Sequence, residues 1–377
     1  MERKKICIVV AEPVTAVSFF KDHIKKLSEQ FDVYLVSTIR DSGVIDRLNL
    51  TGFKSIEIKR RPSIWSDLNG LNRLFWYFKK ERFFCVLSMS SKPSLLTALA
   101  GFAARVPHRI RIFTGQLWCN MRGWKRSFFM LVDKLTVSLD TELLVDGVSQ
   151  MEFLESSGII KKGQAQVMAN GSICGVDIDR FRYSPETRIV ERQQLGLLEE
   201  VVYFFMGRMK TEKGINELLA AMDKMVIECP MAVLLLVGRD EEHCQERISF
   251  YKNLKEGKNI LFYGYTDTPN LLLQAADVFV MPSYREGFGM SVLEASCVNL
   301  PVICSDAYGM RDSMVDDVTG IRCKVGDVDS LYNAMKKLYF DSDLRRELGE
   351  AGHKYVVGSF TKDMVTNALY DFILRLK

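Results

Sequence analysis

The stretch Tyr284-Arg285-Glu286-Gly287-Phe288-Gly289-Met290-Ser291-Val292-Leu293-Glu294 sets two carboxylates around a turn that holds two glycines. A helix starting at Met290 leaves Glu286 in the turn and puts Glu294 about one helical turn inside. Backbone N–H groups at such a start lack intrahelical partners and carry the positive end of the macrodipole, which suits a phosphate. Gly287 and Gly289 let the backbone come close to a ligand. Too far apart to serve one atom, the two acids would each grip hydroxyl groups on a different part of one ligand. A second cluster, Gly207-Arg208-Met209-Lys210-Thr211-Glu212-Lys213-Gly214, offers two cations after an apolar run. Arg208 and Lys213 together suit a pyrophosphate, with Arg able to bind it bidentately. The competing reading makes them surface cations, with Arg208 paired to Glu212.

Both clusters need strands to carry them. Val201–Met206 and the run 276–283 read as buried strands, and the rest of the chain alternates in the same way. In the first half, strands at 5–10, 32–37, 53–59, 84–88, 108–114 and 141–145 alternate with helices at 14–30, 67–81, 94–105, 124–139 and 149–156. The glycine-bearing stretch 170–177 has no helical period and marks a boundary within 175–195. Strands at 201–206, 232–237, 259–263, 278–281 and 301–305 follow, with helices at 215–227, from about 241, from Thr268-Pro269, and at 290–298, 330–339, 343–357 and 362–376. Such alternation predicts an α/β chain of two Rossmann-like, doubly wound parallel sheets facing across a cleft, with ligands at the carboxyl ends of the strands. The expected domains are 1–180 and 181–360, with a C-terminal helix at 361–377 that can cross back to the first.

With 47% hydrophobic and 26% charged residues the composition is that of a soluble globular protein. No apolar run approaches the roughly 18–20 residues of a membrane span, and no leader pattern is visible. Nine cysteines without any C-x-x-C pair point to a reducing compartment, so a cytoplasmic location is expected. Residues 1–185 hold 28 Lys and Arg against 18 Asp and Glu, and the remainder 23 against 29. The basic half suits an anionic partner such as a membrane surface, a nucleic acid or a phosphorylated substrate, or is simply a solvated face. In that half, Arg73-Leu74-Phe75-Trp76-Tyr77-Phe78-Lys79-Lys80 and Trp124-Lys125-Arg126-Ser127-Phe128-Phe129 interleave aromatics with cations. Each reads either as a face for an anionic membrane or as helix packing with cations at the rim. No metal is expected: Asp177/Asp179 lie in a linker and Asp327/Asp329 precede a helix, where Asp caps N–H groups. His23, His108, His243 and His353 have no ligand spacing and read as structural or surface residues.

Together these residues resemble the family 4 retaining, nucleotide-sugar-dependent glycosyltransferases (group 1) with the GT-B fold. The resemblance rests on G-R-x-x-x-x-K-G at 207–214, Val237-Gly238, Phe262-Tyr263-Gly264-Tyr265, Ala276-Asp277-Val278 and the E-x7-E motif Glu286–Glu294. Pro301-Val302-Ile303, Asp317-Val318-Thr319-Gly320 and Gly175-Val176-Asp177-x-x-Arg180-Phe181 add to it. It covers about the last 210 residues by motif and the first half by architecture alone. It implies that Gly207, Arg208 and Lys213 bind the donor diphosphate and stabilise it as a leaving group. Amides in the Gly287-Phe288-Gly289-Met290 turn would face the phosphates and Glu286 the donor sugar. Glu294 would hold the ribose and the backbone at Tyr265 the base. It implies no cofactor beyond the nucleotide sugar, and often a lipid-linked glycan acceptor, here in bacterial surface polysaccharide or O-antigen synthesis, reached from the inner face of the cytoplasmic membrane.

The first half departs from the common family pattern. Ala11-Glu12-Pro13-Val14 stands where many members have a Gly-Gly loop, and no histidine follows the strand ending at Phe113. Thr114, Gly115 and Gln116 are the acceptor-side candidates, and a transfer in which the leaving phosphate deprotonates the acceptor needs no histidine. Two other classes stay open: a nucleotide-sugar epimerase of the same fold and a non-catalytic nucleotide-sugar-binding module. An NAD-dependent oxidoreductase is disfavoured, since no G-x-G-x-x-G follows either half's first strand.

Overall fold

Short runs of apolar and β-branched residues make the strands, and because both faces of each sheet are covered, several are buried from end to end. The computed structural model describes residues 3–38, 43, 45–59 and 63–376. Two units emerge, residues 3–175 with 362–376, and residues 176–361. The first holds β1 (Lys5–Val9), α1 (Pro13–Leu27), β2 (Asp32–Ser37), β3 (Gly52–Ser55), α2 (Ile64–Glu81), β4 (Cys85–Met89), α3 (Ser91–Ala103), β5 (His108–Ile112), α4 (Gly123–Leu139), β6 (Glu142–Val145), α5 (Val148–Ser156) and β7 (Ala165–Val167). The second holds α6 (Pro185–Gln194), β8 (Val201–Met206), α7 (Ile215–Glu228), β9 (Ala232–Val237), β10 (Ile260–Gly264), α8 (Pro269–Leu272), β11 (Val278–Met281), α9 (Met290–Cys297), β12 (Val302–Ser305), β13 (Gly320–Cys323), α10 (Val328–Phe340) and α11 (Ser342–Ser359).

The seven parallel strands of the first sheet run in the order β3-β2-β1-β4-β5-β6-β7 and the six of the second β10-β9-β8-β11-β12-β13. Both reverse direction of growth beside their first strand, the switch point at which open α/β sheets bind ligands. The last helix, α12 (Lys362–Leu374), belongs to the first unit, where Leu369, Phe372 and Ile373 join Phe20, Ile24 and Leu27 of α1 in one core. The second unit begins at Val176, whose N–H donates to Phe360 O. Residues 176–180 therefore belong to the second unit rather than to the first domain.

Several elements differ from the sequence expectation for local reasons. β3 stops at Ser55 rather than Lys59. The boundary region contains α6, opened by Pro185 and capped by Ser184, whose Oγ accepts from Thr187 N at 3.1 Å. No α-helix starts near Glu241. The Asp240 carboxylate instead accepts from the N–H groups of Glu242, Cys244 and Gln245, holding a turn that ends in the 3-10 segment Glu246–Phe250. β7 and β13, of three and four residues, are too short to show a period in sequence. Among the described residues no helix is long and apolar enough to cross a membrane.

The two aromatic and cationic stretches of the first unit behave differently. α2 turns Gly70, Leu74 and Phe78 inward and packs as an ordinary amphipathic helix. α4 buries Asp133, Thr136 and Val137 instead. The Asp133 carboxylate receives Arg111 Nη2 at 2.5 Å and Trp118 Nε1 at 2.6 Å, and the Arg111 guanidinium lies 4.1 Å from the Phe113 ring centre. This buried group ties α4 to β5 and to the loop after it. Asp133→Ala, which strands the Arg111 charge in the core, is expected to lower the stability of the first unit by about 3–5 kcal/mol, read from urea denaturation.

Candidate functional site

Two loops at the carboxyl ends of β8 and β11 meet in the second unit. Gly214 has φ 72°, and a Cβ there would lie 2.1 Å from the Pro282 carbonyl oxygen, so only glycine allows this approach. Tyr284 N donates to Glu212 O at 2.9 Å across the same contact. Gly309 supports the second loop from below: a Cβ on it would lie 2.1 Å from Glu286 O and 2.6 Å from Gly287 O. α9 then starts from Gly289, a left-handed N-cap (φ 81°) with no side chain capping the helix. Phe288 is buried against Phe360 and anchors the turn.

The charges sit on this backbone. Lys213 Nζ is 2.5 Å from Glu286 Oε1, and Ser283 Oγ donates to the same oxygen at 2.7 Å. Arg208 is held more loosely, 3.6 Å from Glu212 and 3.7 Å from Glu241, with its side chain 48% exposed. Arg285 Nη2 is 3.0 Å from Glu212 Oε2, and Lys210 Nζ is 2.7 Å from Glu241 Oε2. Burial alone would raise the pKa of Glu212, but the Arg285 hydrogen bond and the charges of Arg285, Arg208 and Lys213 hold it below the ordinary value. The two cations expected to take a diphosphate, Arg208 and Lys213, thus rest on the carboxylates of Glu212, Glu241 and Glu286. The pairing of Arg208 with Glu212 expected as the competing reading is present.

On the other side, the Glu294 carboxylate has no hydrogen-bond partner among the described residues. Burial pushes it up to about 7 against the opposing charge of Arg180. Arg180 donates to Asp267 O at 2.7 Å, and Tyr265 donates to Asp267 Oδ1 at 2.7 Å while its exposed ring lies 5.0 Å from the Arg239 guanidinium. Arg180 thus links loop 265–267 to the half-buried Glu294.

Glu212 was named in sequence only as the partner of Arg208, and Ser283, Arg285, Arg239 and Gly309 carried no assigned role. Arg285 stood immediately before the E-x7-E motif and was the most findable; Gly309 carries no signal until the loop it supports is built. In the first unit Gln116 is buried, its Nε2 donating to Thr114 O at 2.5 Å, while Thr114 and Gly115 are half-buried. The histidines engage locally: His23 with Ile173 O, His108 with Glu142, His243 with Glu246 and His353 with Cys297 O. Asp327 Oδ1 caps α10 through Ser330 N at 2.9 Å, and Asp177 Oδ1 accepts from Arg180 N at 3.2 Å. No group of three or more metal-ligating side chains occurs among the described residues.

Similarity to known proteins converges on one family. Residues 187–355 match the family described as Glycosyl transferases group 1. The chain is 31% identical over 355 residues, 90% of its length and 94% of the relative's, to the lipopolysaccharide core biosynthesis glycosyltransferase LpsE of Rhizobium meliloti. It is 27% identical over 341 residues, 90% of this chain and 89% of the relative, to the capsular polysaccharide biosynthesis glycosyltransferase CapM of Staphylococcus aureus. HepE of Anabaena, solved in complex with UDP and glucose, superposes with a TM-score of 0.79 at 17% identity over 99% of this chain and 100% of that one. This last likeness speaks to the fold, which is GT-B.

The raised Glu294 predicts a pH dependence. A folded pKa of about 7 against an ordinary 4.5 means that its contribution is full below pH 4.5 and is lost as pH rises through 7. Thermal melts of the ligand-free protein should show wild type losing on the order of 3 kcal/mol relative to Glu294→Gln across that window. Parallel melting curves for the two proteins would refute the shift.

Proposed function

The chain belongs to the group 1 glycosyl transferases, and we propose that it transfers a sugar from a UDP- or GDP-linked donor to an acceptor with retention and without a metal. The observation that carries this reading is the Lys213–Glu286 contact. It joins the cation read as phosphate-binding to the acid read as sugar-binding, which supports a donor whose diphosphate and sugar meet beside this pair. As that bond breaks, negative charge grows on the diphosphate. Lys213, Arg208 and the amides from Gly287 to Met290 are fixed donors that stabilise it without reorganising at the moment of reaction. Glu286 orients the sugar, Glu294 holds the ribose diol and the backbone at Tyr265 meets the base. The acceptor oxygen bonds to the anomeric carbon on the face the phosphate leaves, and its proton passes to the departing phosphate oxygen.

The acceptor is assigned to the first unit, at Thr114, Gly115 and Gln116. The polysaccharide and lipopolysaccharide relatives support a glycan on a lipid carrier, and with it a cytoplasmic enzyme peripheral to the inner face of the cytoplasmic membrane. The HepE complex supports a UDP-type donor.

Nucleotide release from UDP- and GDP-sugars, with and without a lipid-diphosphate-linked acceptor, tests the site. Each lost donor typically costs about 3 kcal/mol of barrier, roughly a hundred-fold in rate, so Arg208→Ala/Lys213→Ala should fall by at least that factor. Unchanged release in the double variant would overturn the phosphate assignment, and sugar conversion without any acceptor would identify an epimerase instead.

A further inference from the structure

α4 presents an apolar stripe to solvent. Trp124, Phe128, Leu131 and Leu135 are 75, 55, 65 and 47% exposed, at spacings of four, three and four residues. At about 100° per residue these four fall within about 60° of one another, a line roughly 16 Å long. Lys125 lies on one flank and Lys134 on the other, both exposed, with exposed Arg122 at the helix start. The orientation follows from the inward hold on Asp133: with Arg111 and Trp118 gripping that carboxylate, the aromatic face has to point outward. Arg126, by contrast, stacks inward over Trp118, its guanidinium 5.7 Å from the ring. The first turn of α2 adds exposed Ile64 and Trp65 at the same carboxyl edge of the first sheet, since both helices follow parallel strands.

We infer that the outward face of α4 docks on an anionic lipid surface, with Trp124, Phe128, Leu131 and Leu135 entering the headgroup and acyl boundary and Lys125 and Lys134 pairing with lipid phosphates. A central apolar line between two cationic flanks has the layout of an interfacial helix. A second copy of this chain fits the face poorly, because two such faces would bring their lysines together in a half that already carries ten excess positive charges. Nucleic acid fits poorly too, since phosphates would meet the apolar line first. The inference deepens the reading given above and rests on it for the lipid-linked acceptor, while its test does not require turnover.

Flotation of the full-length protein with phosphatidylglycerol–phosphatidylcholine vesicles, and with phosphatidylcholine alone, tests the face. Wild type should bind the anionic vesicles and lose at least about tenfold in affinity on phosphatidylcholine alone or in raised salt. Phe128→Glu/Leu131→Glu should lose binding by a similar or larger factor, and Lys125→Glu/Lys134→Glu should lose it selectively on anionic vesicles. Both variants alter exposed side chains, and an unchanged thermal melt confirms that they fold. Vesicle binding that both variants retain in full would overturn the inference. So would a concentration-dependent dimer in sedimentation velocity that Phe128→Glu/Leu131→Glu dissolves while wild type ignores lipid. Absence of vesicle binding with normal nucleotide release removes this inference alone; vesicle binding with no release on any donor removes the proposed reaction and leaves this face standing.

Discussion

The second unit depends on a backbone contact: Gly214 resting against the carbonyl of Pro282, at a separation no side chain would permit. It brings the loops after β8 and β11 together, and the cluster of charges around Lys213 and Glu286 follows. Without it Lys213 and Glu286, 73 positions apart, would not share a hydrogen bond. Gly309 plays the complementary part beneath Glu286 and Gly287, so the acid and the helix start are held from two sides. The strands supply the rigidity; glycine at these points supplies the proximity.

The charges placed there are balanced rather than in excess. Arg208, Lys210, Lys213 and Arg285 all rest on Glu212, Glu241 or Glu286. Arg208 has the longest contacts and the most solvent, so it can turn towards an anion at little cost, as exposed pairs contribute little. Lys213, mostly enclosed, is the fixed member. Glu294 stands apart, its pKa raised by burial against the charge of Arg180 and its carboxylate without a hydrogen-bond partner among the described residues.

In the first unit a different constraint governs. Asp133 sits on the inward face of a helix rich in aromatic residues, and satisfying it beside Arg111 outweighs burying those aromatics. A buried charge without its partner costs more than an exposed Leu or Phe loses. The helix therefore turns its apolar stripe outward, which an analysis of hydrophobic period alone would have placed against the sheet. The neighbouring α2, with no inward acid in its central turns, packs as its period suggests.

Much of this protein was legible in its residues. Strands such as Asp32–Ser37, Val201–Met206, Ala232–Val237 and Val278–Met281 are continuous apolar or β-rich runs whose ends are marked by polar residues or glycine, so local chemistry decides them. The two clusters at 207–214 and 284–294 were visible because loop, glycine and charge fall within a few positions of each other. What local pattern could not decide was anything set by groups distant in sequence. The helix expected near Glu241 yields to a single carboxylate that takes its N–H groups, and α6 was hidden in a region that looked like a linker. The partners of each cation, the raised pKa of Glu294 and the rotation of α4 belong to tertiary structure alone. Each depends on which distant group satisfies a buried charge, and that is settled by packing rather than by neighbours in the chain.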